Sequence, residues 1–230
     1  MKIDVLNCVN GQSGFVRLVK STGNDLDIVR AARVSYDADW RTGEDEGADR
    51  KLIRYLLKNH HTSPFEHVTF TFEVKAPIFV IRQWHRHRTW SYNEISARYT
   101  ELDEGYYVPR VEHITTQHTD NKQMRTMIQH PEAESIQNMI DHSCISSFAV
   151  YRNLIATGAP RELARGVLPL NAYSRMFATV DLHNFMGFIR LRLHSHSQYE
   201  IRVYAEAMSK LVAEQVPVTM GAFFELLEKK

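Results

Sequence analysis

Residues Val68-Thr69-Phe70-Thr71-Phe72-Glu73-Val74-Lys75 alternate apolar and polar without a break, the period-two signature of a strand with one buried face. Pro77 follows, and a proline suits the first turn of a helix, here one carrying Ile78 to Trp84. Most of the remaining chain is patterned at helical spacing. Asn24 can cap a helix through Leu26, Val29 and Ala32, and a second helix runs through Leu52, Ile53, Leu56 and Leu57. The region from about Asp120 to Thr157 reads as a long helix, interrupted or restarted at Pro131 and ended by Gly158 as its C′ residue. Pro160 opens a short helix through Leu163 and Arg165, and Tyr173 to Val180 reads as another strand. Asp181 can cap the next helix, and a further one extends from about Gln198 to Gln215. Few strands among many helices predict an α+β domain. No repeat or linker-like tract divides the 230 residues, so a single domain over 1–230 is expected.

Several function classes are excluded early. No run of 18 apolar residues exists, so no membrane span is expected. The opening Met1-Lys2-Ile3-Asp4-Val5-Leu6 lacks the apolar core of a signal peptide. Cys8 and Cys144 are far apart and form no Cys-x-x-Cys pair, which argues against a disulfide framework and a cysteine zinc site. Both read as reduced thiols of a cytoplasmic protein. The balance of 28 Lys+Arg against 27 Asp+Glu leaves no global field for nucleic acid or membrane. Charge is nevertheless uneven: between residues 152 and 202 there are seven arginines, no lysine and three acids.

The chemistry concentrates in Arg82-Gln83-Trp84-His85-Arg86-His87-Arg88-Thr89-Trp90-Ser91-Tyr92-Asn93-Glu94-Ile95-Ser96-Ala97-Arg98-Tyr99. Arginine forks hold phosphates and stack on flat rings, while Asn, Ser and Gln read the edge of a heterocycle. Glu94 is the one acid, placed to accept from a ribose hydroxyl or to orient an arginine. This mixture suits an anionic nucleotide. A solvated basic helix face would be richer in Lys and Glu, and duplex binding fits poorly with near-neutral charge. The 12 histidines raise a metal site as a rival, through His85-x-His87 and His194-x-His196. The first pair sits in a helix or its exit, where residues i and i+2 diverge, and the second in a stretch between helices. No metal is therefore expected.

Arg86-His87-Arg88, seven residues and Ser96 together resemble the Arg-His-Arg-x7-Ser signature of the flavin-dependent thymidylate synthases, and the similarity runs on through Arg98 and Tyr99. Further segments match in order: Asn24-Asp25-Leu26 with Arg30 to Ser35, Ser63-Pro64-Phe65-Glu66-His67, Pro160 to Arg165 with Leu168 to Asn171, Leu191-Arg192, and His196-x-Gln198-x-Glu200. The resemblance implies a mainly helical fold with a small, mostly antiparallel sheet, assembled as a homotetramer whose active sites are shared between subunits. It implies methylation of dUMP to dTMP, with 5,10-methylenetetrahydrofolate as carbon donor and FAD reduced by NADPH as hydride source, without a cysteine nucleophile. Arg192 is then the catalytic residue facing the uracil ring, and its structural alternative is an ion pair with Glu200. The dUMP positions implied are Gln83, Trp84, His85, Arg86, Glu94, Ile95, Ser96, Ala97, Arg98, Arg165 and Arg192, with Trp84, His85, Ile95 and Ala97 acting through their backbone. For FAD they are Ser63, Arg86, His87, Arg88, Glu94, Asp181, Leu182, His183 and Gly187. Ser63 with Glu66 also fits a helix capping box. Asp181-Leu182-His183 stands where many members have Asn-x-Arg, and Gly187 where Asn or His is common.

Overall fold

The alternating stretch forms the centre of a sheet in the computed structural model, which describes residues 1–6, 11 and 13–228. Five strands, β1 (Lys2–Val5), β2 (Gly14–Thr22), β3 (Thr69–Pro77), β4 (Ser91–Glu94) and β7 (Tyr173–Asp181), lie in the order β1-β2-β3-β7-β4. Every neighbouring pair is antiparallel. Between β4 and β7 come a two-stranded hairpin, β5 (Thr115–Gln117) and β6 (Arg125–Gln129), and two of the helices. The helices are α1 (Asp25–Arg33), α2 (Glu46–Lys58), α3 (Ile78–Trp84), α4 (Ala133–Ala156), α5 (Arg161–Ala164), α6 (Leu182–Arg192), α7 (Tyr199–Ala213) and α8 (Pro217–Leu227). None of the described helices is long and apolar enough to cross a membrane.

Several predicted signals act as expected. Asn24 caps α1 by accepting from Leu26 N–H, and Asp27 reaches back to the Asn24 N–H. Gly158, at φ +80°, closes α4: its N–H donates to Ile155 O and that of Ala159 to Leu154 O, both at 3.0 Å. Asp181 caps α6, accepting from the Asn184 N–H at 2.9 Å. The sheet packs Phe70 and Phe72 against Phe185 of α6, and Trp84 stacks on Phe188 with ring centroids 5.1 Å apart.

Other expectations are corrected. The long helix from Asp120 does not form; α4 begins at Ala133, and β5 and β6 occupy the preceding stretch. Pro131 blocks helix upstream of itself, and Arg125 turns inward to Glu200 while Met127 and Ile128 are 97% and 69% exposed. Pro77 is the last residue of β3 and the cap position of α3 rather than a member of its first turn. Ser63–His67 is a 3₁₀ turn with no side-chain cap, so Ser63 and Glu66 form no capping box. β1, β2, β4 and α8 carry no predicted counterpart. Cys8 lies outside the described residues, and Cys144 is buried on α4.

Register explains how the site is assembled. Thr69 pairs with Asp181 and Pro77 with Tyr173, so α3 and α6 leave opposite ends of the β3–β7 pair. Eleven helical residues span about 16 Å, enough for α6 to run back along the sheet and meet the exit of α3.

Candidate active site

Where these two helices meet, Arg192 Nε donates to His87 Nε2 at 3.0 Å and Arg192 Nη2 donates to Gln83 O at 3.1 Å. Gln83 is in turn hydrogen-bonded through its side-chain amide to that of Gln198, at the start of α7. The Tyr92 hydroxyl of β4 donates to the carbonyls of both Trp84 and His87, at 3.1 and 2.9 Å. The turn between α3 and β4 is thereby fixed onto the core. Burial, followed by the charge of Arg192, pushes the His87 imidazole down to about 4, so it is neutral at pH 7. Burial also lowers the Arg192 guanidinium from its ordinary value. It is a half-buried cation with no carboxylate partner among the described residues. Glu200 is not that partner: its carboxylate is held by Arg125 at 3.0 and 3.1 Å and by the Tyr107 hydroxyl at 3.2 Å.

The arginines separate into two classes. Thirteen have an acidic partner. Among the described residues, Arg82, Arg86, Arg88, Arg165, Arg190 and Arg192 have none. Four of these six, Arg86, Arg88, Arg165 and Arg192, are predicted site residues. Arg82 opens the polar segment without an assigned role, and Arg190 carries no sequence signal beyond its proximity to Arg192. Arg98 lies 3.7 Å from Glu162, which ties the end of the motif to α5, the helix before Arg165.

The remaining predicted residues are placed unevenly. Trp84 is fully buried, so only its backbone is near the site. The Ile95 N–H donates to Arg175 O at 2.9 Å and is already used. Ser96 Oγ accepts from the Arg98 N–H at 3.3 Å, and Ala97 is buried. His85 packs edge-on against Tyr92, with centroids 4.8 Å apart. Glu94 accepts from Ser174 Oγ at 2.5 Å, a partner on β7 that the sequence reading missed. Asp181 and Leu182 start α6: the Asp181 carboxylate serves Asn184, while Leu182 is buried and its N–H donates to Val68 O.

His183 and Gly187 share a cleft of about 130 Å³ with His60, His61 and Phe65, beside the turn bearing Ser63. It lies on a different face of α6 from Arg192, and Arg86 and Arg88 do not line it. The residues here fit a flat heterocyclic cofactor. A side chain at Gly187 would meet nothing within 4 Å, so the α6 backbone is open to a ring. Ser63, on the adjoining turn, supplies an exposed hydroxyl, and Arg190, which has no acidic partner among the described residues, lines the cleft as a cation for a phosphate; Arg86 and Arg88 are exposed, unpaired cations outside it.

No three His, Cys, Asp or Glu side chains among the described residues are placed to share a metal ion. His87 is engaged by Arg192, and His194 Nδ1 accepts from the His196 N–H. Burial, with Asp141 nearby, pushes the Cys144 thiol up to about 11, so it is protonated and a poor nucleophile.

Residues 17–218 match the family model described as thymidylate synthase complementing protein. A flavin-dependent thymidylate synthase from Thermotoga neapolitana is 44% identical over 229 residues, covering all of this chain and 97% of the relative. One from Thermus thermophilus is 46% identical over 215 residues, covering 93% of this chain and 77% of the relative. Among solved structures, a UMP/dUMP methylase from Streptomyces cacaoi bound with 5-Br dUMP matches with a TM-score of 0.85 at 38% identity, covering 92% of this chain and 95% of that one. Likeness of this extent covers the sheet, the motif segment and the helix bearing Arg192 together, and the chain is an enzyme of the flavin-dependent thymidylate synthase family.

Proposed function

We propose that the chain methylates dUMP to dTMP, with 5,10-methylenetetrahydrofolate as carbon donor, FAD reduced by NADPH as hydride source, and no cysteine nucleophile. The observation that carries this reading is the direct contact of the signature segment, through Gln83 and His87, with the unpaired cation Arg192. FAD, when bound, supplies the hydride. Ser63, Arg86, His87, Arg88, Glu94, the 181–183 turn and Gly187 would hold it.

The chain's own residues supply the rest. Arg165, with Arg86, grips the nucleotide phosphate, because neither cation is cancelled by a carboxylate. Gln83, Ser96 and Arg98 orient the base and sugar. Arg192 faces the pyrimidine, where a half-buried guanidinium favours negative charge on the ring and so makes C5 electron-rich. Thiol addition at C6 is then unnecessary, in keeping with the protonated Cys144. The separate positions of the Arg192 group and the His183–Gly187 cleft support a homotetramer in which neighbouring subunits complete each site. A cytoplasmic enzyme serving nucleotide synthesis fits this chemistry.

The test is direct. Purified protein is given FAD, dUMP, methylenetetrahydrofolate and NADPH, and dTMP is measured by chromatography. A yellow protein that forms dTMP only when all four are present is expected. A protein that binds no FAD and makes no dTMP would overturn the proposal.

A further inference from the structure

The contact between His87 and Arg192 has a direction that restricts both partners. A guanidinium carries five N–H donors and no acceptor. Since Arg192 Nε can only donate, His87 Nε2 must present its lone pair, and the ring proton must sit on Nδ1. Arg192 Nη2 spends a second N–H on Gln83 O. Three N–H groups remain, two on Nη1 and one on Nη2, along the outer edge of the fork.

His87 is well anchored for such a role. Its N–H donates to Trp84 O at 2.9 Å, and its carbonyl accepts from Tyr92. Its ring stands edge-on to Phe188, with centroids 4.9 Å apart. Phe188 precedes Arg192 by one turn of α6, so the two side chains share a face and grip the imidazole together. A carboxylate in place of His87 would hold Arg192 more tightly but would cancel its charge. A neutral imidazole fixes the orientation and leaves the field intact.

We propose that His87 is a positioning residue for Arg192: as the Nδ1–H tautomer it holds Nε and turns the fully charged Nη edge toward the pyrimidine. This deepens the proposed function and rests on Arg192 facing that ring. It also leaves only Nδ1–H and the backbone of His87 for any flavin contact.

The test compares His87→Ala, His87→Gln and His87→Glu, each saturated with FAD and scored for flavin content, KM for dUMP and kcat. Misplacement of a reacting group by about 1 Å costs about 100-fold in rate. His87→Ala, read at saturating FAD because its side chain also belongs to the proposed flavin site, is expected to lose kcat by about that factor. His87→Gln, whose amide oxygen accepts as Nε2 does, should recover most of the loss. His87→Glu should keep KM for dUMP near the parent value yet turn over about 100-fold more slowly, because the carboxylate cancels the charge. An Ala or Glu variant that turns over normally when loaded with FAD would refute the positioning role. The tautomer has its own readout: ¹⁵N-histidine NMR of the parent protein should show one imidazole unprotonated at Nε2 from pH 5 to 8, its resonance shifting in Arg192→Lys. If that signal is present and the parent makes no dTMP, the fault lies with the proposed function. If the parent makes dTMP and the signal is absent, the fault lies with the pairing.

Discussion

Arg125 and Arg192 can be told apart by what their removal does to stability. The Glu200 side chain is 4% exposed and receives both of its guanidinium contacts from Arg125. Replacing Arg125 by Met strands that carboxylate with only the Tyr107 hydroxyl. Breaking a buried pair costs about 3–5 kcal/mol. The one-third exposure of Arg125 and the surviving hydrogen bond lower this to about 2–3 kcal/mol. Arg192→Met loses two charge-assisted hydrogen bonds, each worth about 1.5–3 kcal/mol. That loss is largely offset by relief of the desolvation cost of a half-buried cation without a counter-ion, several kcal/mol for an ion, leaving a net cost of about 1 kcal/mol or less. Urea denaturation followed by helical circular dichroism reads the difference at a fixed protein concentration. At a slope of about 2 kcal/mol per molar urea, Arg125→Met should move the midpoint down by about 1 M and Arg192→Met by less than half of that. Turnover should respond in the opposite order, lost with Arg192→Met and retained by Arg125→Met below its transition. If Arg192→Met unfolds as early as Arg125→Met, Arg192 is a structural residue and the argument from its missing partner fails.

Cys144→Ala should retain turnover within about two-fold, since a buried thiol held near 11 contributes no nucleophile; a loss above 100-fold in steady-state assays would contradict this. Asp25 accepts from the N–H groups of Val218 and Thr219 and from the Thr219 hydroxyl, joining α1 to the start of α8. Asp25→Ala should therefore cost about 1–2 kcal/mol, read as a fall in Tm of about 2–8 °C by calorimetry. His87 makes stability depend on pH in one direction. Its folded value of about 4 lies below the ordinary 6.5, so the unfolded chain takes up the proton first as pH falls. The contribution is whole above about pH 6.5 and is lost progressively toward pH 4. The full shift corresponds to about 3 kcal/mol, which half-exposure reduces to about 1–2 kcal/mol. Urea midpoints at pH 7 and pH 4.5 should converge in His87→Gln relative to the parent, and an unchanged difference would count against the neutral imidazole.

Elements with an end signal and a single buried face were legible in the sequence. β3, β7 and the helices capped by Asn24 and Asp181 are of this kind, because cap, period and core agree locally. The 115–129 hairpin was not, because the usual relation is inverted there: Arg125 turns to buried Glu200 while Met127 and Ile128 face solvent. The site divides in the same manner. The residue types of the motif could be read along the chain, but which cation is free could not. Between residues 152 and 202 only the family resemblance sets Arg165 and Arg192 apart; by local composition the seven arginines look alike. Four of them find acids: Arg152 meets Glu104, Arg161 meets Glu101, Arg175 meets Glu73 and Arg202 meets Glu206. Three of those acids lie 48 to 102 positions away, and only the last is a helical neighbour. Arg165, Arg190 and Arg192 are left over. A local pattern cannot make that separation, because it depends on partners brought in by folding. The near-neutral total charge thus hides a local imbalance: most arginines are paired with acids, and the uncancelled cations gather around the motif segment and α6.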